Sequence, residues 1–300
     1  MKLYLQLDEL RGRAWTPEEA FAYCADLATS HYENFIVGSL LMPRDIRPHL
    51  HAVYAFCRWA DDLGDEVGDP ALSLRLLEDF EREIGDCYSG NARHPVFRAL
   101  SETVRRFDIP PDPFHHLIRA FKRDQTQTRY ATFTDLLHYC RDSANPVGHL
   151  FLHLFGYRDP ERQRLSDETC TGLQLANHWQ DVSVDIVKGR IYLPQEDLDR
   201  FAVPENVIQS TRSTKAFLDL MKFEVERARE FFDRGAALTP TIQGRFRVDV
   251  ELFRLGGLGI LDEIERLGFD VLKSRPKVSK TRQMALLIKS LLRCRIFPSM

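Results

Sequence analysis

Two short acidic clusters carry most of the chemistry this chain can do: Asp61-Asp62-Leu-Gly-Asp65-Glu66 and Asn177-His-Trp-Gln180-Asp181-Val-Ser-Val-Asp185. On a helix, residues four apart share a face, so Asp61 with Asp65, and Asp181 with Asp185, each aim two carboxylates in one direction. Like charges placed that way repel. The first cluster follows the largely apolar run Val53-Tyr54-Ala55-Phe56-Cys57-Arg58-Trp59-Ala60, and an acidic pair in such a setting calls for a cation. Mg²⁺ is the hard partner that suits carboxylates and phosphates. Arg58 lies one turn before Asp61 and Asp62, while Gln174, Asn177, Asp181 and Asp185 set two amides and two carboxylates on one stripe. That stripe suits metal and diphosphate ligation better than a solvated face, the ordinary fate of an Asp/Glu pair. If the two helices face each other, their carboxylates hold a small cluster of metals that a diphosphate bridges.

A diphosphate held by Mg²⁺ is a leaving group, because the metal neutralises the charge developing on the departing oxygens. The organic fragment left behind is a carbocation, which must be kept from bulk water. Phe35, Val37, Leu40, Val53, Tyr54, Phe56, Leu150, Phe151, Leu154 and Leu175 fall on helical patterns that suit the lining of a dry cavity. Aromatic faces among them can stabilise passing positive charge by about 1–2 kcal/mol each when desolvated. Ordinary core packing is the competing assignment for every one of them.

Other constellations are weaker. His149 and His153 are four apart, but no Glu follows His149 as a zinc-hydrolase motif requires, so a structural role is preferred. Gly256-Gly257-Leu258-Gly259 lacks both a preceding strand and dinucleotide spacing. It reads as close helix packing or a helix break, and no nicotinamide site is expected. The basic stretch from Lys273 through Arg275 and Lys277 to Arg282 suits three roles: closing over a diphosphate, touching an anionic membrane, or lying solvated in a loop.

The 300 residues, with 44% apolar content, suffice for a substantial core, and one domain is favoured. A net charge of −3 gives no global attraction to nucleic acid. Cys24, Cys57, Cys87, Cys140, Cys170 and Cys294 are scattered without a C-x-x-C pair, which suits reduced thiols in a cytoplasmic protein. No segment reaches the roughly 18 uncharged residues that span a bilayer, so a soluble or membrane-peripheral protein is expected.

Helical periodicity dominates. Thr16-Pro17-Glu18-Glu19 is a strong helix start, with a hydroxyl cap, proline at the first position and Glu at the third. Ser166-Asp167-Glu168-Thr169 reads as a similar start for the helix carrying the second acidic cluster. Further helices are expected roughly over 44–63, 72–88, 95–107, 112–123, 134–155, 213–235, 246–266 and 281–293, with a kink at Asn145-Pro146. No long linker, repeat or low-complexity tract interrupts them.

The segments His31-Tyr-Glu33-Asn34-Phe35 and Ala52 to Glu66 resemble the N-terminal half of the squalene/phytoene synthase family. Gln174-Leu-Ala-Asn177-His-Trp-Gln180-Asp181-Val-Ser-Val-Asp185, followed by Gly189-Arg190-Ile-Tyr192-Leu-Pro194, resembles that family's second signature. Glu33-Asn34-Phe35 and His178-Trp179-Gln180-Asp181 are most similar to the bacterial hydroxysqualene synthase branch of hopanoid pathways. The resemblance implies an all-α, single-domain isoprenoid-synthase (class I terpenoid synthase) fold with a central cavity, and a Mg²⁺ cluster. It implies metal ligation by Asp61, Asp65, Asn177, Asp181 and Asp185, and diphosphate contacts from His31, Arg58, Gln174 and Arg190. Tyr54, Tyr139 and Asn177 are the expected catalytic residues near the reacting carbons and the attacking water. The branch implies presqualene diphosphate as substrate, an upstream presqualene diphosphate synthase, a downstream reductase, and transient membrane contact by an otherwise cytoplasmic enzyme. A head-to-head condensing synthase acting on farnesyl or geranylgeranyl diphosphate shares every metal ligand named and stays open.

Overall fold

The computed structural model describes residues 3–30, 42–210 and 212–296. Among the described residues the regular structure is all helical: α1 (Leu3–Arg11), α2 (Pro17–Ser30), α3 (Arg47–Asp65), α4 (Pro70–Ser89), α5 (Pro95–Phe107), α6 (Asp112–Arg123), α7 (Phe133–Ser143), α8 (Asn145–Leu154), α9 (Pro160–Asp185), α10 (Gln195–Arg200), α11 (Glu205–Ile208), α12 (Lys215–Gly235), α13 (Phe246–Arg266) and α14 (Lys280–Ile296). Two compact units are distinguished, Met1–Thr126 with Pro146–Arg158, and Gln127–Asn145 with Asp159–Met300.

Side-chain caps explain where these helices begin. The Thr16 hydroxyl accepts from Glu19 N–H at 3.2 Å while the Glu19 carboxylate accepts from Thr16 N–H at 3.0 Å, the reciprocal box the sequence predicts. Asp69 accepts from Ala71 and Leu72 N–H at the start of α4, and Thr132 with Asp135 forms a second box at α7. The expected start at Ser166 is corrected: α9 opens six residues earlier, where Asp159 accepts from Arg162 N–H at 3.0 Å and Pro160 occupies the first turn. Ser166 is buried in mid-helix. The kink at Asn145-Pro146 is a full break, because Ala144 leaves helical geometry (φ −122°, ψ −48°) and the chain passes there from one unit to the other.

In the first unit, α3 packs against α2, α4, α5 and α6. Phe56 lies at its centre, 4.9 Å from Phe114 edge-on and 5.5 Å from Phe80 in a stack. Phe56, Val53, Leu150, Phe151 and Leu154, and Leu175 in the second unit, are buried. Phe56 is enclosed by Phe80, Phe97 and Phe114 and is a core residue, which corrects the cavity assignment for it; Tyr54 is half-buried. Phe35, Val37 and Leu40 lie outside the described residues.

In the second unit, α9 packs on α7, α12 and α13, and α13 carries α14. Gly257 lets α13 approach closely: a Cβ there would fall 2.2 Å from Phe232 and 3.0 Å from Leu173. The glycine cluster is therefore close packing within a continuous helix, not a break.

Candidate active site

Both acidic motifs sit in the last turn of their helices, Asp61, Asp62 and Asp65 on α3 and Asp181 and Asp185 on α9, with no basic residue in either last turn. The carbonyl-rich end of a helix carries negative partial charge, so carboxylates are disfavoured there unless a cation compensates. Each unit supplies one from elsewhere in its own chain segment.

In the first unit the cation is Arg58. Its Nε donates to Asp62 at 3.1 Å, a terminal nitrogen also pairs with Asp62, and the other reaches Asp61 at 3.5 Å. Arg58 is therefore engaged by carboxylates here. The last turn is steadied by Gln125, which donates to the Gly64 carbonyl at 2.9 Å. Tyr54 lies one turn earlier on α3, and burial raises its phenol pKa. Asp65 is half-buried at the helix end. His31 lies outside the described residues.

In the second unit the cation is Arg275. Two of its nitrogens grip the Asp181 carboxylate, one at 3.1 Å, and the latter also donates to Gln180 at 3.2 Å. Gln180 in turn donates to the Pro276 carbonyl at 2.7 Å. The basic segment thus closes on the second acidic motif. Gln174, Asn177, Asp181 and Asp185 form the expected stripe on α9, half-buried except for exposed Asn177. A left-handed turn at Gly189 (φ 75°) folds the chain back so that Arg190 N–H donates to the Asp185 carbonyl at 2.9 Å.

Arg190 and Asp185 also line a cavity of about 10 Å³ with His178 and Tyr192, room for about one water. His178 is fully enclosed and stacks on Tyr192 at 3.7 Å; burial drives its pKa down to about 3, so the imidazole is neutral. Tyr139, buried on α7, lies 5.6 Å from the Tyr192 ring and 5.5 Å from Tyr130. The structure thereby joins Tyr139 to the Arg190 end of the site through an aromatic cluster. Tyr130 and Arg275 were not among the expected site residues. Arg275 contacts a residue 94 positions away, which no local spacing reveals, though its basic segment was visible.

Among the described residues no group of three or more His, Cys, Asp or Glu side chains is arranged to hold a metal by itself. The oxygen-only donor sets still fit Mg²⁺, which is commonly bound by one or two carboxylates together with substrate phosphates. The guanidinium lodged on Asp181 shows that a cation is accommodated there.

These helices and motifs agree with the comparisons to known proteins. The squalene/phytoene synthase family model matches residues 28–282. A phytoene synthase of Arthrospira platensis is 30% identical over 94% of this chain and 95% of its own. The crystal structure of squalene synthase HpnC from Alicyclobacillus acidocaldarius is 45% identical with a TM-score of 0.81, covering 85% of this chain and 96% of that one. A dehydrosqualene synthase in complex with ligand is 26% identical with a TM-score of 0.85, covering 94% and 98% respectively. The chain belongs to the squalene/phytoene synthase family and has the class I terpenoid synthase fold. It is an enzyme of that family, whose members process isoprenoid diphosphates.

Proposed function

We propose that the protein is a hydroxysqualene synthase acting on presqualene diphosphate. The observation that carries this reading is the 45% identity to squalene synthase HpnC, well above the 26% and 30% to dehydrosqualene and phytoene synthases. The Glu33-Asn34-Phe35 and His178-Trp179-Gln180-Asp181 segments support the same branch. Both units are read as one functional domain, since the family match runs through both.

On this reading Asp61, Asp65, Asn177, Asp181 and Asp185 hold Mg²⁺, while His31, Arg58, Gln174 and Arg190 bind and orient the diphosphate. When bound, the metal supplies charge neutralisation for the departing diphosphate oxygens. Arg58 moves from its carboxylate partners to the diphosphate, because a phosphate oxygen offers a guanidinium the same bidentate geometry. The carbon–oxygen bond breaks with its electron pair leaving on diphosphate, and the cyclopropylcarbinyl cation rearranges to an open allylic cation. Water adds its oxygen to that cation and gives its proton to the released diphosphate or to solvent. Tyr54, Tyr139 or Asn177 positions the water, since a dry site needs a polar anchor for it. Atoms and charge balance without a reductant. The substrate is supplied by an upstream presqualene diphosphate synthase, and the alcohol is consumed by a downstream reductase.

The test is incubation of the purified protein and Mg²⁺ with presqualene diphosphate or farnesyl diphosphate separately. Consumption of the former alone, giving a C30 alcohol, is expected. Consumption of farnesyl diphosphate favours the second reading, a head-to-head condensing synthase, which rests on the likeness to phytoene and dehydrosqualene synthases.

A further inference from the structure

The outer face of α14 has no role in the site described above. Met284, Ile288 and Leu292 lie on it at successive intervals of four and are 55%, 51% and 54% exposed. That spacing aligns them in one apolar ridge about 12 Å long. The opposite face is what docks the helix. Leu286 fills the space over Gly259 of α13, Ser290 is fully buried, and Cys294 reaches the Arg247 carbonyl at 3.6 Å. Arg282 is tied to Asp262 and Glu263 at 2.6 and 2.7 Å, and Arg293 to Glu251 at 2.9 Å. The ridge is thus presented outward by a helix held firmly from behind.

The charges beside the ridge have one sign. All charged residues of α14 are basic; Arg282 and Arg293 are taken up by the α13 carboxylates, which leaves Lys280 and Lys289 beside the ridge. Lys280 and Lys289 are exposed and join no ion pair with the described residues. Lys277, also exposed, precedes them. An exposed apolar ridge flanked by lysines is the pattern of a helix that lies in the surface of an anionic bilayer, with the apolar side chains among the acyl chains and the ammonium groups at the headgroups. A second copy packed ridge to ridge would bring to the contact an α14 that carries no carboxylate, so it offers these lysines no opposite charge. No described helix is long and apolar enough to cross a membrane, so attachment from the surface is the mode this face offers.

We propose that the Met284–Ile288–Leu292 ridge of α14, with Lys280 and Lys289, is a docking surface for an anionic lipid membrane. The purpose of such docking rests on the reading of the protein as an isoprenoid-processing enzyme, since long prenyl chains partition into bilayers. The contact itself does not depend on which reaction is catalysed.

Flotation of the full chain with phosphatidylcholine vesicles, with and without phosphatidylglycerol, tests this without any substrate. The parent is expected to float with anionic vesicles and to be released by high salt. A Met284→Ser/Ile288→Ser/Leu292→Ser variant is expected to bind roughly tenfold more weakly. A Lys280→Gln/Lys289→Gln variant is expected to lose a similar factor on anionic vesicles only. Unchanged melting temperature and unchanged turnover in detergent identify a folded variant. Parent protein that stays unbound, or a folded ridge variant that floats undiminished, overturns the proposal. A concentration-dependent dimer that the ridge substitutions abolish, with no vesicle binding, assigns the face to a second copy instead. Failure of the presqualene reaction leaves the flotation result unaffected, so the two readings fail separately.

Discussion

Arg275 holds Asp181 by two of its guanidinium nitrogens, while the neighbouring Gln180 secures the Pro276 carbonyl at 2.7 Å. The segment after α13 is therefore fastened to the second acidic motif at two adjacent points. A cationic side chain beside a carboxylate competes with a metal for the same charge. Arg275→Ala is expected to tighten binding of Mg²⁺ or Mn²⁺ to the substrate-free protein by about two- to fivefold, an ion-pair-sized effect. Titration followed by calorimetry or Mn²⁺ resonance reads this, and unchanged or weaker metal binding contradicts it.

Asp181→Ala separates catalysis from folding. The Arg275–Asp181 pair is partly exposed, at 36% and 14%, so its loss is expected to cost about 1 kcal/mol or less and to lower Tm by no more than about 2–4 °C. Turnover is expected to fall at least about a thousandfold, because a proposed metal ligand is removed. A large fall in Tm with retained activity would mark Asp181 as structural.

Much of this site was legible because helical spacing is local. Gln174, Asn177, Asp181 and Asp185 lie on one helix, and Thr16 with Glu19 caps another, all within a few residues of each other. What escaped was set by tertiary contact. Phe56 matched a lining residue in pattern, yet Phe80, Phe97 and Phe114 enclose it. Ser166 matched a helix start, yet the stronger combination of Asp159 cap and Pro160 had already begun the helix. Arg275 reaches Asp181 across 94 residues, and the stacking of His178 on Tyr192 has no local signature.

Adjacent glycines on α13 are expected to behave oppositely. Gly257→Ala puts a methyl 2.2 Å from Phe232, and such overpacking costs about 1–3 kcal/mol. Gly256 has nothing within 4 Å of its Cβ position, so Gly256→Ala is expected to be neutral or to stabilise by up to about 1 kcal/mol through helix propensity. Thermal melts of the two variants decide this. Equal effects would contradict the close approach of α13 to Phe232.

Asp249 on α13 is 1% exposed, and neither carboxylate oxygen has a hydrogen-bond partner among the described residues. Burial raises its pKa from an ordinary 3.8 to about 7. The folded protein therefore holds this proton more tightly than the unfolded chain, so its contribution to stability falls as pH rises through that interval. Asp249→Asn, which cannot ionise, is expected to exceed the parent in stability by about 2 kcal/mol near pH ~8, with the margin shrinking toward pH ~4. Denaturant melts across that range check the sign, and a margin that grows toward acid pH contradicts it.

The most direct test of the central claim is mass spectrometry of the product formed from presqualene diphosphate and Mg²⁺ in heavy-oxygen water. Capture of an open allylic cation by solvent predicts a C30 alcohol whose hydroxyl carries the heavy isotope. An unlabelled alcohol or a C30 hydrocarbon as the main product would contradict water capture as the closing step.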